Sequence, residues 1–427
     1  MPMTITEKIL ARAAGAAAMK PGDLAVVDVE TSVLMDMSFL PEGWREILHV
    51  HDPSKVVIAF DHLVPAPTVY AATAHSTGRK FAAKFGIERL HDVGLDQGIA
   101  HAVVADRGYA IPGTVLVNGD SHTCAAGAFN CAARGVGGPD MLYAVTMGKA
   151  WFRVGETIRY DFFGALRPGV SAKDIFLFIA GTHGAHVNQN VEYGGPGMGS
   201  LSLNGRRTLA TMGAELSAEF VIFEPDDALL DYMRAVNPSA SLYPTWPDPD
   251  CAYRERRAID LGSLEPLVAL PDAVVNNSVP VGQVAGQHID QAFVGSCANG
   301  TLDDLAVVAK VVNGRKVAKG TRLIVTPGTQ TIYMAALRAG YVETITAAGG
   351  IVTPATCGAC VGGHLGAVGP DEVCLTASTR NFKGRMGDPS ARIYMGSPAT
   401  CAASALAGVI THPGEFFAGD VAMGDVA

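Results

Sequence analysis

Short apolar runs that alternate with helical patterns restrict this chain more than any other feature. Residues 24–29, 56–60, 115–117, 157–162, 291–294, 323–325, 373–376 and 393–395 each read as one strand. Residues 302–312 and 331–339, lying between such runs, read as helices. A helix between two strands permits parallel pairing, so the alternation predicts α/β layers with mostly parallel sheets. Material for a core is ample. Of the 427 residues, 48% are hydrophobic and only 17% are charged, which excludes a disordered polymer. At about 100–200 residues per domain, a chain of this length predicts two to four domains.

Charge removes further classes. The formal net charge of −9 argues against a general nucleic-acid binder, which would be basic. The densest basic stretch, Lys310, Arg315, Lys316, Lys319 and Arg322, reads as a solvated helix end and loop. No apolar run reaches the roughly 18 residues of a membrane span. Residues 7–19 are alanine-rich but carry Glu7, Lys8 and Arg12, and read as a first helix rather than a transit peptide. The expectation is a cytoplasmic protein with no nucleic-acid and no membrane partner.

Eight cysteines are present: Cys124, Cys131, Cys251, Cys297, Cys357, Cys360, Cys374 and Cys401. Three sit in glycine-flanked loops. Gly295-Ser296-Cys297-Ala298-Asn299 follows an apolar strand, and Thr356-Cys357-Gly358-Ala359-Cys360-Val361-Gly362-Gly363 follows sixty positions later. The carboxyl end of a strand is where open α/β folds place ligands, and a C-x-x-C loop turns two thiolates toward one ion or cluster. Three thiolates leave several readings open. A four-iron cluster held by three cysteines would have one iron free to act as a Lewis acid. Zinc with a histidine as fourth ligand, or a buried or redox C-x-x-C pair, fits the spacing as well.

Other loops carry acid–base and anion-binding chemistry. Asn118-Gly119-Asp120-Ser121-His122-Thr123 and Phe60-Asp61-His62 both follow strands, and His101 lies upstream of the first. A carboxylate beside an imidazole fixes its tautomer and raises its basicity, as proton transfer near neutral pH requires. Read singly, each is a turn or a satisfied core histidine. Arg380 and Arg385, in Thr379-Arg380-Asn381-Phe382-Lys383-Gly384-Arg385, are spaced to clamp carboxylates. Asn190-Val191-Glu192-Tyr193-Gly194-Gly195-Pro196-Gly197 reads as a glycine-rich loop after an acid.

At these residues, in this order and over nearly the whole chain, the sequence resembles the aconitase superfamily. Within it the resemblance is to the large subunits of isopropylmalate isomerase and homoaconitase. It also runs through Phe60-Asp61-His62-Leu63-Val64-Pro65, Cys360-Val361-Gly362-Gly363-His364 and Ser397-Pro398-Ala399-Thr400. The resemblance implies three similar α/β/α domains around a central cluster. Composition shifts near Gly155 and across residues 272–288 would divide them as 1–155, 156–282 and 283–427, the last carrying the cluster cysteines. It implies a [4Fe–4S] cluster on Cys297, Cys357 and Cys360 with one labile, substrate-binding iron, and Asn299 and Asn381 beside it. It implies the pairs Asp61–His62, Asp120–His101 and Glu192–His122, with Ser121 in the same pocket, and substrate carboxylates on Arg380 and Arg385. The swivelling domain of single-chain relatives is not found, which implies a separate small subunit in a heterodimer or heterotetramer.

Three departures stand out. Thr379 occupies a place usually held by asparagine beside the cluster. Ala298 and Gly300 replace a threonine and a serine. In Glu30-Thr31-Ser32-Val33-Leu34-Met35-Asp36-Met37 a histidine–aspartate step near the substrate is replaced, with Asp36 left as the substrate-side polar group. That segment predicts a substrate other than isopropylmalate. The implied function is a [4Fe–4S] hydro-lyase on a 2-hydroxy di- or tricarboxylate, with homocitrate or homoaconitate, citramalate and 2,3-dimethylmalate as alternative substrates. The rival classes are a non-catalytic metal-binding scaffold and an RNA-binding regulator.

Overall fold

In the computed structural model, which describes residues 1–418, the strands gather into three larger sheets and one two-stranded ribbon. The first sheet orders Leu90–His91, Val56–Ala59, Thr31–Met35, Val115–Asn118 and Ala132–Gly135, all parallel. The second orders Val221–Phe223, Gln189–Gly194, Glu156–Phe163 and Glu255–Asp260, again all parallel. The third runs Ser278–Pro280, Leu267–Ala269, Arg392–Gly396, Val373–Thr376, Gln291–Val294, Arg322–Val325 and Ile351–Val352. Leu267–Ala269 pairs antiparallel with both of its neighbours, and the remaining pairings are parallel. Leu24–Asp28 pairs antiparallel with Lys149–Arg153 to make the ribbon.

Local chemistry explains the helices. Leu302–Val312 begins at a capping box in which Thr301 and Asp304 each satisfy the other's backbone N–H. It then buries Leu305, Val308, Ala309, Val311 and Val312 on one side. Packing joins the sheets. One continuous apolar cluster holds Val33, Val57 and Leu116 of the first sheet, Ile158, Tyr160 and Val191 of the second, and Ala269 and Met395 of the third. The three units therefore meet through shared core rather than through wet interfaces. No helix among the described residues is long and apolar enough to cross a membrane.

The eight strands and two helices expected from periodicity form, with shifts of a residue or two. Others were hidden. Thr31–Met35 is the middle strand of the first sheet and is buried along its whole length, although polar Thr31 and Ser32 break its pattern. The divide expected at residue 282 falls too late, because Leu267–Ala269 and Ser278–Pro280 hydrogen-bond into the third sheet. The polar stretch that suggested a boundary is instead partly the turn of that hairpin. Residues 419–427 of the expected third domain lie outside the described residues.

The first helix is Ile5–Ala13, earlier and shorter than expected, capped by Thr4 with Glu7. Its first turn is tied to the second sheet. The carboxylate of Glu192, in Gln189–Gly194, accepts from the Thr6 amide at 2.9 Å, the Thr6 hydroxyl at 3.0 Å and the Tyr253 hydroxyl at 3.1 Å. Here a buried carboxylate meets the positive end of a helix dipole. Glu192→Ala should leave those donors buried and unpaired, at a cost of roughly 1–3 kcal/mol per group. The check is thermal unfolding of the isolated chain, in which the variant should melt at a clearly lower temperature than wild type.

Candidate active site

Parallel strands point their carboxyl ends the same way, and the candidate residues lie just beyond those ends. In the first sheet, Asp36 follows Thr31–Met35, Asp61 and His62 follow Val56–Ala59, and Asp120, Ser121 and His122 follow Val115–Asn118. In the third sheet, Cys297 follows Gln291–Val294, Cys357 and Cys360 follow Ile351–Val352, and Arg380 and Arg385 follow Val373–Thr376. Backbone bonds lock the two groups together. The Asp61 carbonyl accepts from the Cys357 amide at 3.0 Å and from the Thr356 hydroxyl at 2.9 Å. The His364 ring donates to the Pro65 carbonyl at 3.0 Å.

Three imidazoles converge on one carboxylate. Asp120 Oδ1 lies 2.9 Å from His101 Nε2, on the helix Ala100–Asp106, and 3.4 Å from His122 Nδ1. The same oxygen accepts from the His122 amide at 2.7 Å, while Oδ2 lies 3.8 Å from His62 Nε2. Burial pushes the Asp120 carboxyl up, but the bonds from His101 and His122 hold it well below the usual range. Space behind this loop is minimal. A Cβ on Gly135 would stand 2.2 Å from the Asp120 carbonyl oxygen, so only glycine lets the neighbouring strand approach.

His62 is held from its other side as well. Its Nδ1–H faces Asp61 Oδ1 at 2.7 Å, and Asp61 Oδ2 is fixed by the Ala100 amide at 3.0 Å. Asp36 lies beneath, with Oδ1 3.9 Å from the same ring nitrogen. Burial alone would lower the imidazole's pKa. Asp61, Asp120 and Asp36 together outweigh burial and raise it to about 10. His62 is therefore a cation at neutral pH with one nitrogen turned toward Asp120.

The expected Glu192–His122 pair does not form. Glu192 is fully buried on the first helix and the second sheet, as described above. Glu215, on the turn Gly213–Leu216, takes its place, with Oε1 3.0 Å from His122 Nε2. Burial raises the Glu215 carboxyl, but His122 and Arg380 bring it below its ordinary value. Arg380 extends the chain: its Nε donates to Glu215 Oε1 at 2.7 Å and its Nη2 to Ser121 Oγ at 2.7 Å. Glu215 was missed because it lies 93 positions from its partner, in a helix end that carries no motif.

Asp36 also differs from expectation. It was expected on the substrate side, yet it has no exposure and accepts from the Leu63 amide at 2.7 Å and the His62 amide at 3.4 Å. Its Oδ2 lies 3.6 Å from Nε2 of His75, a ring stacked on Phe60. Asp36, Asp61 and His62 lie close enough together to hold a metal ion. Because the Asp36 oxygens are already committed to amides, a carboxylate–imidazole support is the better description. Met35 is buried in the core beside it.

The three thiols are buried and unbridged. The Cys360 amide donates to the Cys357 carbonyl at 3.4 Å, and the three thiols lie near enough to influence one another's ionisation. Gly358 between the pair takes φ +63°, a conformation that favours glycine. Cys360 is the one thiol of the three held below its ordinary value, by neighbouring Cys357 first and then by Arg385 and Thr379. Arg385 Nη2 lies 3.6 Å from its sulfur, so this arginine leans on the thiol pair. The Thr379 hydroxyl lies 3.6 Å from the same sulfur, so a polar contact survives the asparagine-to-threonine departure. Of the two asparagines expected beside the cluster, Asn381 braces a loop instead, donating to the Leu270 and Ala273 carbonyls at 2.7 and 3.0 Å. Asn299 donates to Asp304 at 3.0 Å and keeps a buried, unpartnered Oδ1. Three converging free thiols with a cationic and a hydroxyl neighbour fit a sulfur-ligated iron cluster.

Comparison with known proteins agrees with this geometry. A family model described as the aconitase family (aconitate hydratase) matches residues 48–408. The 3-isopropylmalate dehydratase large subunit of Mycolicibacterium smegmatis is 52% identical over 411 residues, covering 96% of this chain and 97% of that protein. A probable 3-isopropylmalate dehydratase large subunit of Methanothermobacter thermautotrophicus is 41% identical over 422 residues, covering 97% of this chain and all of that protein. From the same organism, a probable methanogen homoaconitase large subunit is 40% identical over 422 residues, covering 96% and 97%. The family match spans the Asp61, Asp120 and all three cysteine loops, and the chain therefore belongs to the aconitase family, hydro-lyases whose chemistry implies an iron–sulfur cluster.

Proposed function

We propose that this chain is the large, cluster-carrying subunit of a hydro-lyase that removes and re-adds water on a 2-hydroxy dicarboxylate. The names of its relatives make 3-isopropylmalate the first substrate. One observation carries the reading: three imidazoles share the Asp120 carboxylate beside a loop of buried thiols, with an arginine-held serine on the same strand end. Cys297, Cys357 and Cys360 would hold a [4Fe–4S] cluster with one iron free of protein ligands. When bound, the cluster supplies Lewis acidity toward the substrate's hydroxyl and carboxylate.

The chain's own residues supply the rest. His62, kept cationic by three carboxylates, donates a proton from Nε2 to the departing hydroxyl, and Asp61 holds the resulting neutral ring in place through its Nδ1–H. His101 and His122 hold Asp120 ionised so that it does not take that proton itself. Arg380, already oriented by Glu215, binds a substrate carboxylate, and Ser121 lies within its reach. Removal of the carbon-bound proton falls to a serine on a separate small subunit with the swivelling domain. That the relatives are named large subunits supports such a partner. We take the three sheets as three domains facing this site. The expectation of a different substrate gives way to the names of the relatives, and within the segment that suggested it Asp36 braces His62 while Met37 is exposed.

The direct test co-produces the chain with its small subunit, reconstitutes the complex without air, and screens 3-isopropylmalate, homocitrate, citramalate and 2,3-dimethylmalate by absorbance of the unsaturated acid. 3-Isopropylmalate should turn over fastest. A colourless complex with stoichiometric zinc and no turnover would overturn the reading in favour of a scaffold. In the same assay His62→Gln should lower kcat by about 10²–10⁴-fold at unchanged iron content, the usual worth of a general acid. Glu215→Gln should lose less, about 10–100-fold, as a support residue does.

The pH dependence of stability is a further check. A histidine raised from 6.5 to about 10 stabilises the fold fully below pH 6.5, and that contribution fades as pH rises toward 10. The melting temperature of the cluster-free chain should fall across this window, and His62→Gln should flatten the slope. Equal slopes in both proteins would remove the cationic assignment of His62.

A further inference from the structure

A lysine with no solvent exposure lies behind the cysteine site and takes no part in the chemistry above. Lys173 is the second residue of the helix Ala172–His183. Its ammonium donates to the Ser378 carbonyl at 3.0 Å and rests 3.2 Å from the sulfur of Met212. Among the described residues no carboxylate forms an ion pair with it. Neighbouring Asp174 is committed to the Ser171 cap and to the Leu267 amide. Asp304, the acid with the greatest influence on it, has its oxygens taken by Thr301 and Asn299.

A buried ammonium without a counter-ion is expensive, and a neutral side chain of the same shape would be cheaper. The missing negative charge has an evident source. Cys297 and Cys360 are among the groups whose charge Lys173 feels. Thr379, which follows the carbonyl that Lys173 grips, touches the Cys360 sulfur. Burial pulls the amine down, Asp304 and the thiols Cys297, Cys401 and Cys360 oppose it, and the balance rests at about 8.

We propose that Lys173 is a positioning residue whose fixed positive charge is the internal counter-ion of the thiolate-ligated cluster, strengthening its retention and raising its reduction potential. This inference rests on the reading that Cys297, Cys357 and Cys360 hold an iron–sulfur cluster. A cation in a water-poor site favours the more negative, reduced cluster over the oxidised one, and favours either over the empty site. The bond to Ser378 also fixes the loop that carries Thr379 and Arg380.

The test uses the full chain with its small subunit, reconstituted without air, as wild type, Lys173→Met and Lys173→Gln. Glutamine keeps a donor for the Ser378 carbonyl but no charge. Midpoint potential is read by an electron-paramagnetic-resonance titration, cluster retention by visible absorbance under chelator, and stability by melting the cluster-free chain. Both variants should lower the potential by about 59 mV or more, a tenfold shift for one electron. Both should lose the cluster about 10–100-fold faster. The cluster-free variants should melt at or above the wild-type temperature, because the buried charge is gone. An unchanged potential in Lys173→Met overturns the inference, as does recovery of the wild-type potential in Lys173→Gln, which would assign the effect to the hydrogen bond. Failure of both cluster-free variants to fold overturns it too, by making the lysine a folding requirement. A wild-type chain that takes up no cluster sinks the underlying reading instead.

Discussion

Everything in the site hangs on the Asp120 carboxylate accepting from several partners at once. One oxygen serves the His101 ring and the His122 amide, and the other faces His62. A carboxylate offers about four lone-pair positions, so such sharing is within its capacity. What makes it stable inside protein is that two of these partners, His62 and His122, are themselves held from behind by acids. His62 is backed by Asp61 and Asp36, and His122 by Glu215, itself backed by Arg380. Each ion thus has a neighbour of opposite sign, which is the condition for keeping charge out of water.

That alternation needs rigid placement, and the fold provides it by bringing sheet ends together. Asp61 anchors the cysteine loop through its carbonyl and His62 through its carboxylate. One residue therefore links the proton-transfer half of the site to the sulfur half. The shared apolar core behind it joins all three sheets and gives the loops little freedom to separate. The sulfur half has the opposite electrostatic character. Burial drives Cys297 upward as a thiol, while Cys357 and Cys360 pull each other apart, Cys357 upward and Cys360 downward, with Arg385 adding to the second.

Much of this was legible in the sequence because short motifs fix local geometry. The Phe60-Asp61-His62 and Asp120-Ser121-His122 steps, the Cys297 loop and the two arginines follow strands that periodicity marks, so their position at strand ends was readable, whereas the two-residue strand before the C-x-x-C loop was not. Two kinds of feature were not. Strands with polar residues facing a buried partner, such as Gln189–Gly194 and Thr31–Met35, break the apolar pattern although they lie mid-sheet. Pairings between distant positions carry no local signal at all.

The sequence by itself determined the α/β class, the strand-end loops and the set of thiols, imidazoles and arginines, because each depends on neighbours within a few residues. Only the tertiary structure decided which acid meets which imidazole. Glu192, buried, and Glu215, half-buried, are acids in the same segment of chain, yet one ties down a helix and the other holds His122. It likewise turned Asp36 toward the back of His62, and left Lys173 buried with no carboxylate paired to it among the described residues. The physical reason is common to all three. A charged side chain inside a protein takes the partner that packing brings to it, and packing is set by contacts between residues far apart in the chain.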